Sequence, residues 1–335
     1  MSGRSVLLTG ATGGLGLACA RELIARGHQV RAVGRNAKAG RVLEALGAQF
    51  VAIDLEEKRD IFSVVEGCDS VIHAAALSAS WGPKEAFQSA NVNVTERLLE
   101  AASGSVVHRF VFISSPSIFA AFKDRNAILE GDAPTDPPLN HYAKTKMAAE
   151  RLVLADRSDA MACCVIRPRA LVGEGDQVIL PKLTEMAKRK KIPMPRGGRA
   201  LIELTDLRDA AWAICEADER AETLQGRAIN ISGGQPLPVR EVARALAKAL
   251  GQTPQFANPP MALLRMLATS LETLARLTGQ SEEPALSRYT LATLAYSQSF
   301  DLEPAKRLLG YTPQFDGLAT LLEQARRVVT EEESA

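Results

Sequence analysis

The chain of 335 residues lacks the features that mark several classes of protein. Its 40 basic and 39 acidic residues nearly cancel, so the charge predicts no nucleic-acid partner. No apolar run approaches the ~20 residues that a membrane-spanning helix requires. Residues 1–4 lead directly into the apolar residues 6–8, without the hydrophobic stretch or cleavage site of a signal peptide, which predicts a cytoplasmic protein.

Cysteine is scarce, and its spacing is not that of a metal site. The cysteines are odd in number and lack the short repeated spacings of zinc ligands. We therefore expect small buried side chains of a reduced protein, and no bound metal. They are Cys19, Cys68, Cys163, Cys164 and Cys215.

The first half of the chain alternates short apolar runs with segments of helical periodicity. The runs are rich in β-branched residues and uninterrupted, which is typical of a parallel sheet covered by helices on both faces. The predicted strands include residues 6–8, 30–33, 50–53, 71–73, 110–113 and 164–166. This alternation predicts an α/β fold with a doubly wound, Rossmann-type parallel sheet.

The second half has a looser pattern, with proline and glycine clustered in residues 193–198 and 232–238. We expect residues 1–172 to form a dinucleotide-binding domain, to which a segment near residues 200–232 returns. Residues 173–330 are expected to form mainly a smaller, discontinuous substrate-binding lobe over the carboxyl edge of the sheet, where open α/β sheets bind ligands.

A glycine-rich segment follows the first predicted strand and opens the first predicted helix. At residues 9–16 it provides Gly10 for a tight turn, Gly13 for close approach to a pyrophosphate and Gly16 for helix packing. A diphosphate would lie at the helix N-terminus, where free N–H groups favour an anion. The other cofactor contacts predicted here are Thr12, Gly14 and Leu15.

The end of the second predicted strand indicates which nicotinamide cofactor binds. Enzymes that prefer NAD usually place an acidic residue here to hold the ribose 2′-hydroxyl, whereas this chain has Gly34 followed by Arg35. An arginine can bind a 2′-phosphate through two hydrogen bonds, and no carboxylate repels that phosphate. The sequence therefore predicts NADP, with NAD as the alternative. In the other interpretation, Arg35 is a solvated surface residue.

Further cofactor contacts are predicted at the ends of later strands. Asp54 and Leu55 end the third strand, where the carboxylate of Asp54 is expected to accept a hydrogen bond from the adenine. The small Ala74 would let the cofactor lie close, while His73 before it is predicted to be a structural histidine rather than a catalytic base. Pro168, at the end of the sixth strand, is expected to stiffen the wall beside the nicotinamide.

Three residues are predicted to carry the chemistry. Tyr142 and Lys146 lie four residues apart and so share one helical face. A free tyrosine has a pKa near ~10, and a nearby ammonium would lower that pKa and ease proton transfer at neutral pH. Ser115 follows the fifth strand and is expected to bond the substrate oxygen. Asn91 orders a water or a backbone kink in one interpretation and begins a helix in the other.

The order and spacing of these motifs resemble the extended short-chain dehydrogenase/reductase superfamily. The matching segments are TGxxGxxG at residues 9–16, DL at 54–55, HAAA at 73–76, NVxxT at 91–95, SS at 114–115, YxxxK at 142–146 and RP at 167–168. One departure is Val94, where the family often has glycine. The resemblance implies an NAD(P)-dependent oxidoreductase that interconverts a secondary alcohol and a ketone, with Ser115, Tyr142 and Lys146 as catalytic residues.

Within the superfamily the chain is most similar to the branch of 3β-hydroxysteroid dehydrogenases and 2-alkyl-3-oxoalkanoate reductases. The segments that carry this similarity are residues 74–76, 81–82, 87, 167–176 and 181–183. It implies a small hydrophobic substrate, such as a 3-oxo lipid or a sterol-like ring; a homodimer is the default for soluble oligomers of this sort. A nucleotide-sugar epimerase or dehydratase with NAD is the alternative, although Gly34 and Arg35 argue against it. A non-catalytic NADP-sensing module is disfavoured because Ser115, Tyr142 and Lys146 are all present.

Residues 259–278 are rich in leucine and have helical periodicity, with Arg265, Glu272 and Arg276 on one face. This helix packs on the core of the lobe in one interpretation. In the others it forms an apolar lid over a lipid-like substrate, or a patch that contacts a membrane surface peripherally.

Overall fold

The structure, a computed structural model, describes residues 3–57, 61–156, 160–187, 189 and 191–334. The strands of this part of the chain are β1 (Ser5–Thr9), β2 (Gln29–Gly34), β3 (Gln49–Ala52), β4 (Ser70–His73), β5 (Arg109–Ile113), β6 (Arg125–Ile128), β7 (Ala162–Pro168), β8 (Leu171–Val172), β9 (Lys191–Pro193), β10 (Leu201–Ile202), β11 (Thr205–Asp206), β12 (Ala228–Ile231), β13 (Leu237–Pro238), β14 (Gln255–Ala257) and β15 (Gln298–Phe300).

The α-helices of the same residues are α1 (Gly14–Ala25), α2 (Ala37–Ala45), α3 (Ile61–Val65), α4 (Lys84–Phe87), α5 (Val94–Ser103), α6 (His141–Ala155), α7 (Ile179–Ala187), α8 (Leu207–Glu219), α9 (Val239–Ala249), α10 (Met261–Leu277), α11 (Arg288–Ala295), α12 (Glu303–Leu309) and α13 (Gly317–Ser334). A π-helical turn, Gln88–Asn93, joins α4 to α5.

A parallel sheet forms the centre of the molecule. Among the described residues it has seven strands in the order β12-β7-β5-β4-β1-β2-β3. The order runs outward in both directions from β1, so the prediction of a doubly wound, Rossmann-type sheet is confirmed. Each of the six predicted apolar runs lies in, or overlaps, one of these strands.

The strands are apolar throughout because helices cover both faces of the sheet. Leu8 packs on the face covered by α1 and α8, whereas its neighbour Leu7 packs on the face covered by α5 and α6. This alternation places every second residue of a strand in a different core. The cysteines are free and buried, as their odd number and their spacing in the sequence predict.

The later part of the chain forms smaller clusters outside the sheet. Helices α7, α9 and α13 pack together around Leu246 and Leu321. Helix α10 packs one face, which includes Leu264 and Ala268, on α11. The boundary near residue 172 stays a prediction. Among the described residues, no helix has the length and apolar character needed to cross a lipid bilayer.

Strand register sets the geometry of the site. The carboxyl ends of all parallel strands lie at one edge of the sheet, and Ile113 of β5 pairs with Ile166 of β7. Two residues further on, Ser115 and Pro168 therefore leave the sheet at the same level. Thr9 pairs with His73 of β4 on one side and with Val33 of β2 on the other. The residues predicted for cofactor and catalysis thus converge on this edge.

Candidate active site

The structure places Tyr142 near Ser115. Helix α6 begins just before Tyr142 because Asn140 caps it, accepting a hydrogen bond from the Ala143 N–H at 2.8 Å. The Tyr142 hydroxyl lies near the side chains of Ser115 and Ser78, both of which lower its pKa. Ser78 lies in the loop after β4 and no sequence motif singled it out.

The pKa of Tyr142 differs from the sequence prediction. Burial raises it above its usual value, and the nearby side chains of Ser78 and Ser115 act in the opposite direction. The expected lowering by Lys146 is absent because the amine is directed elsewhere: it donates to the carbonyl of Ile113 at 2.6 Å. Without other partners, the phenol stays protonated at neutral pH and is a proton donor.

Lys146 is itself strongly perturbed. It is 2% exposed, and its amine lies 4.7 Å from the centre of the Phe112 ring. Burial lowers the pKa of Lys146 to about 7, with Glu150 acting in the opposite direction. A buried amine with a pKa near neutrality exchanges protons readily under physiological conditions, which is typical of a functional lysine.

Ser115 is held by a tight turn. Its Oγ accepts a hydrogen bond from the Ser117 N–H at 3.2 Å and so caps the 3-10 turn Pro116–Phe119. This bond uses a lone pair and leaves the hydroxyl hydrogen available for the oxygen of Tyr142 or of a substrate. The hydroxyl of Ser114 is buried and has no hydrogen-bond partner in the part of the chain that the structure describes.

Asn91 holds the loop after β4 against α6. Its side-chain oxygen accepts from the Leu77 N–H at 2.7 Å, and its amide donates to the Leu77 carbonyl at 3.3 Å and to the Thr145 hydroxyl at 3.1 Å. Asn91 lies inside the π-helical turn rather than at a helix start. It therefore joins the segment that carries Ser78 to the helix that carries Tyr142.

His73 belongs to a buried hydrogen-bond chain. The Thr95 hydroxyl donates to the Asn91 carbonyl at 2.7 Å, so the His73 Nε2–H must donate to Thr95, at 3.0 Å. The hydroxyl of Thr9 then donates to Nδ1 at 2.7 Å and accepts from the Ala75 N–H at 3.1 Å. Burial lowers the pKa of His73 to about 3, so the ring is neutral and structural.

The glycine segment fits a bound diphosphate. Gly13 precedes α1 without a side-chain cap, and the first turn of α1 contains no acidic residue, so its N–H groups are available to an anion. A Cβ at Gly10 would lie 2.7 Å from the Ala75 nitrogen, and one at Gly16 would lie 2.2 Å from the Gly10 carbonyl oxygen. Both positions therefore require glycine for backbone contact alone.

The loop after β8 touches this segment. A Cβ at Gly14 would lie 2.8 Å from the Gly175 carbonyl, and Arg21 pairs with Glu174 through two hydrogen bonds of 2.8 and 3.2 Å. In the sequence, residues 173–176 are notable only for the family resemblance that they help to carry. The structure shows that they lie beside the N-terminus of α1.

At the end of β2, the side chain of Thr12 occupies the space that a side chain at residue 34 would take. A Cβ at Gly34 would lie 2.6 Å from Cγ2 of Thr12. The next residue, Arg35, has a side chain that is 71% exposed and whose guanidinium lies 3.5 Å from the Asp54 carboxylate. The edge therefore presents a loosely paired cation and no acidic group at the strand end.

The remaining predicted contacts lie at the same edge of the sheet. The Asp54 side chain accepts a hydrogen bond from the Glu56 N–H at 3.0 Å, and the Leu55 carbonyl accepts one from Arg97 at 2.9 Å. Ala74 lies next to Gly10. Pro168 ends β7, opposite Ile231 of β12. No ligand contact tests these roles, which stay predictions.

The sheet is of the Rossmann type, the glycine segment before α1 has no side-chain cap, and a tyrosine lies near a serine and one helical turn from a buried lysine. These features define an NAD(P)-dependent enzyme of the oxidoreductase or epimerase type. The sequence profile of the NAD dependent epimerase/dehydratase family matches residues 6–232. The chain belongs to this family. The match covers all seven strands of the main sheet among the described residues, together with α1 and α6.

Named relatives support the branch that the motifs predict. The chain is 33% identical to "Uncharacterized protein YbjS" of Escherichia coli (strain K12), over 92% of this chain and 93% of the relative. It is 31% identical to a 2-alkyl-3-oxoalkanoate reductase of Stenotrophomonas maltophilia (strain K279a), over 92% and 94%. The solved structure of MoeE5 with UDP-glucuronic acid and NAD is 26% identical with a TM-score of 0.75, covering 97% of this chain and 100% of MoeE5.

Proposed function

We propose that this protein is an NADP-dependent oxidoreductase that interconverts a secondary alcohol and a ketone on a hydrophobic substrate. The observation that carries the proposal is the placement of Ser115 close enough to the Tyr142 phenol to lower its pKa, at the carboxyl edge of the sheet. This places a proton donor near a second hydroxyl that can hold the same substrate oxygen.

Each residue has a distinct role in this proposal. The nicotinamide, when bound, supplies or accepts the hydride. Tyr142 donates a proton to the substrate oxygen in reduction and takes it back in oxidation, while Ser115 bonds that oxygen. Lys146, with a pKa of about 7, can pass a proton toward Tyr142 and hold the ribose hydroxyls.

The preference for NADP rests on the end of β2. Since a Cβ at residue 34 would lie 2.6 Å from Thr12 Cγ2, an acidic residue at the position that NAD-specific enzymes use would have to displace the Thr12 side chain. Arg35 is exposed and only loosely paired with Asp54, so its guanidinium is available to a 2′-phosphate. The NAD named with MoeE5 marks the alternative cofactor.

Cofactor titration tests this preference. We expect NADPH to bind at least tenfold more tightly than NADH, because a 2′-phosphate gains hydrogen bonds to a charged group. Arg35→Ala should remove most of that difference while leaving NADH affinity unchanged. Arg151→Ala, at an exposed position of α6, is the matched control. Equal affinities in the unchanged protein contradict the NADP assignment and favour NAD.

Replacement of the phenol tests the chemistry. Tyr142→Phe should lower kcat for ketone reduction by at least ~100-fold, since general acid catalysis contributes roughly that much, and should leave NADPH affinity within about twofold. Turnover by the variant at a comparable rate contradicts the role of Tyr142. Thermal stabilisation by a UDP-sugar, with no turnover of any 3-oxo compound, would favour the epimerase alternative.

Helix α10 supports a hydrophobic substrate or surface. Its inner face packs on α11, while its outer face exposes an apolar stripe. The stripe consists of Leu263, Met266, Leu267, Leu274 and Leu277. Peripheral membrane contact through this stripe, a homodimer and a cytoplasmic location stay predictions. Sedimentation with anionic vesicles, compared between the unchanged protein and Leu277→Ser, tests the first.

A further inference from the structure

One carboxylate, that of Glu283 in the turn between α10 and α11, joins three distant segments of the chain: the loop after β4, helix α7 and the start of α11. Its Oε2 accepts hydrogen bonds from the Ser80 hydroxyl and from the Lys182 amine, the latter at 2.6 Å. Its Oε1 accepts from the Ser287 hydroxyl at 3.1 Å and from the Thr290 hydroxyl at 2.9 Å. A carboxylate has about four lone-pair positions, so these donors saturate the group.

Glu283 is held in its charged form. Burial acts to raise its pKa, but the hydrogen bonds from Lys182 and Ser80 outweigh that effect, and the pKa lies below its usual value. The Ser80 hydroxyl also accepts from the Lys182 amine at 2.8 Å, so the three side chains form a closed triangle. Lys182 is 55% exposed, and ion pairs with an exposed partner contribute little to stability. We therefore expect the cluster to affect mainly the position of the three segments.

The loop after β4 is fastened to the same turn at its next residue. The indole N–H of Trp81 donates to the Gln280 carbonyl at 3.1 Å, and the Arg276 guanidinium lies 5.7 Å from the centre of the Trp81 ring. Ser80 and Trp81 thus both bond to residues 280–283. This double attachment fixes the loop against the turn that carries Glu283.

The loop also lies against the start of the catalytic helix. The Ser80 carbonyl accepts from the Asn140 side-chain amide at 3.4 Å, and Asn140 caps α6 two residues before Tyr142. Ser78, two residues earlier in the loop, lies near the Tyr142 hydroxyl and lowers its pKa. The attachment at Glu283 therefore bears on the surroundings of the proton donor.

The start of α11 is the third segment that Glu283 holds. Ser287 caps this helix, accepting from the Thr290 N–H at 3.1 Å, and both of their hydroxyls bond Glu283. Tyr289 lies between them in the sequence, and its phenol interacts electrostatically with Tyr142 and with Glu283. Glu283 therefore also fixes the segment that places a second tyrosine near Tyr142.

A cavity lies between the loop and the start of α7, and the cluster forms part of its wall. Its volume is about 240 Å³. It is lined by residues 78–81, Gln177, Val178, Lys182 and Glu283. Ligand pockets commonly have volumes of roughly 300–1,000 Å³, so this cavity can hold part of a substrate. Because Ser78 lines the cavity and lies near the Tyr142 hydroxyl, a group bound here would lie close to the proton donor.

We propose that Glu283 is a positioning residue of the reaction, which holds the loop of Ser78 and the start of α11 together beside the Tyr142 phenol and so shapes the substrate cavity. This inference rests on the proposed function. Glu283 acts through the side chains that it binds and not on the reacting atoms. Without its charge the loop and α11 would separate, water would enter, and the substrate carbonyl would lose its alignment with the phenol.

The fluorescence of Trp81 reports the position of the loop without any substrate. Trp212 is the one other tryptophan of the chain, so Trp212→Phe isolates the signal. In this background Glu283→Gln should shift the emission to longer wavelength and raise the acrylamide quenching constant at least twofold, because the indole becomes more exposed. Glu185→Gln removes the carboxylate of an exposed ion pair on α7 and should change neither. The same comparison with Trp212 retained applies if Trp212→Phe does not fold.

Steady-state kinetics measure the effect on the reaction. With NADPH and methyl 3-oxotetradecanoate, well below the Tm of each protein, Glu283→Gln should lower kcat at least tenfold. The dissociation constant of NADPH should stay within about twofold, since none of the predicted cofactor contacts belongs to the cluster. Glu185→Gln should retain both values. A kcat and a quenching constant of Glu283→Gln equal to those of the unchanged protein overturn the proposal.

Charge exchange distinguishes positioning from a general loss of structure. Lys182→Glu and Glu283→Lys each place two like charges side by side and should lower kcat. The double variant restores an ion pair of reversed sign, and the hydroxyl groups around it can accept as well as donate. Its kcat should therefore exceed that of either single variant at least fivefold. A double variant no more active than the single ones overturns the ion pair as the positioning contact.

The two proposals fail in different ways. If Glu283→Gln exposes Trp81 but leaves kcat unchanged, Glu283 fastens the loop without positioning the reaction, and this inference is wrong while the oxidoreductase function stands. If the unchanged protein reduces no ketone although Trp81 responds as expected, the proposed function is wrong and the attachment of the loop by Glu283 stands.

Discussion

Gly34 and Thr12 lie against each other at the end of β2, so cofactor choice depends on packing as well as on charge. An acidic residue at position 34 is the expected route from NADP to NAD. In this chain its Cβ would lie 2.6 Å from Thr12 Cγ2. We therefore expect Gly34→Asp to weaken binding of both NADPH and NADH, at least tenfold, rather than to exchange one for the other. Fluorescence titration with the two cofactors measures this.

A double variant isolates the cause. Thr12→Ala removes the Oγ1 and Cγ2 atoms that approach position 34, so Gly34→Asp in that background should recover NADH affinity. Thr12→Ala alone provides the reference for a double-mutant cycle. Tight NADH binding by Gly34→Asp alone would show that Thr12 moves aside without weakening cofactor binding, and would contradict the packing argument.

Motif spacing predicted that Tyr142 and Lys146 share one helical face and that Ser115 follows a strand, because an i to i+4 helix pair and a strand end have fixed local geometry. It did not predict Ser78, because that residue lies on a loop whose course depends on contacts with distant parts of the chain, such as the hydrogen bond of Asn91 with Leu77. The predicted lowering of the Tyr142 pKa was also wrong, since the burial of the phenol and the direction of the Lys146 amine appear only in three dimensions.

At the scale of elements, the π-helical turn between α4 and α5 positions the catalytic helix. Asn91 satisfies both backbone groups of Leu77 and bonds Thr145, which lies between Tyr142 and Lys146. We expect Asn91→Ala to lower the free energy of unfolding by about 1–3 kcal/mol, since it leaves buried polar groups unpaired. It should also lower kcat, because the loop that carries Ser78 loses its contact with α6.

Urea denaturation and steady-state kinetics measure the two effects. Asn93→Ala changes an exposed residue of the same turn and should alter neither. If Asn91→Ala matches Asn93→Ala in both stability and kcat, the turn does not position the site.

The strands were the most predictable elements, because short uninterrupted runs of β-branched residues rarely form any other type of secondary structure. Pairings of distant segments were not predictable: β6 pairs in parallel with β15, more than half the chain away. The π-helical turn also has no sequence signature, since its wider winding depends on the hydrogen-bond partners that Asn91 and Thr95 find in the folded protein. The periodicity of α10 indicated a helix, but only the structure separates its packed inner face from its exposed outer stripe.

At the scale of the whole molecule, buried ionisable groups couple folding to pH. His73 has a pKa of about 3 in the folded protein, below its usual value of 6.5, because burial disfavours the charged ring. Between these two pH values the unfolded chain binds a proton that the folded protein does not. Acidification through this window therefore lowers the free energy of unfolding. The lowered pKa of Lys146 has an effect of the same sign, because between pH about 7 and 10.5 the unfolded chain binds a proton that the folded protein does not.

Below pH 6.5, His73 should therefore destabilise the protein by up to about 1.4 kcal/mol per pH unit, the limit for one proton. Urea denaturation from pH 6.5 to 5 measures the slope. His73→Gln keeps a donor and an acceptor between Thr9 and Thr95 but cannot titrate, so its slope should be smaller. His108→Gln changes an exposed histidine and should retain the original slope. Identical slopes in all three proteins would mean that the pKa of His73 does not fall on folding, and would contradict the effect of burial on that pKa.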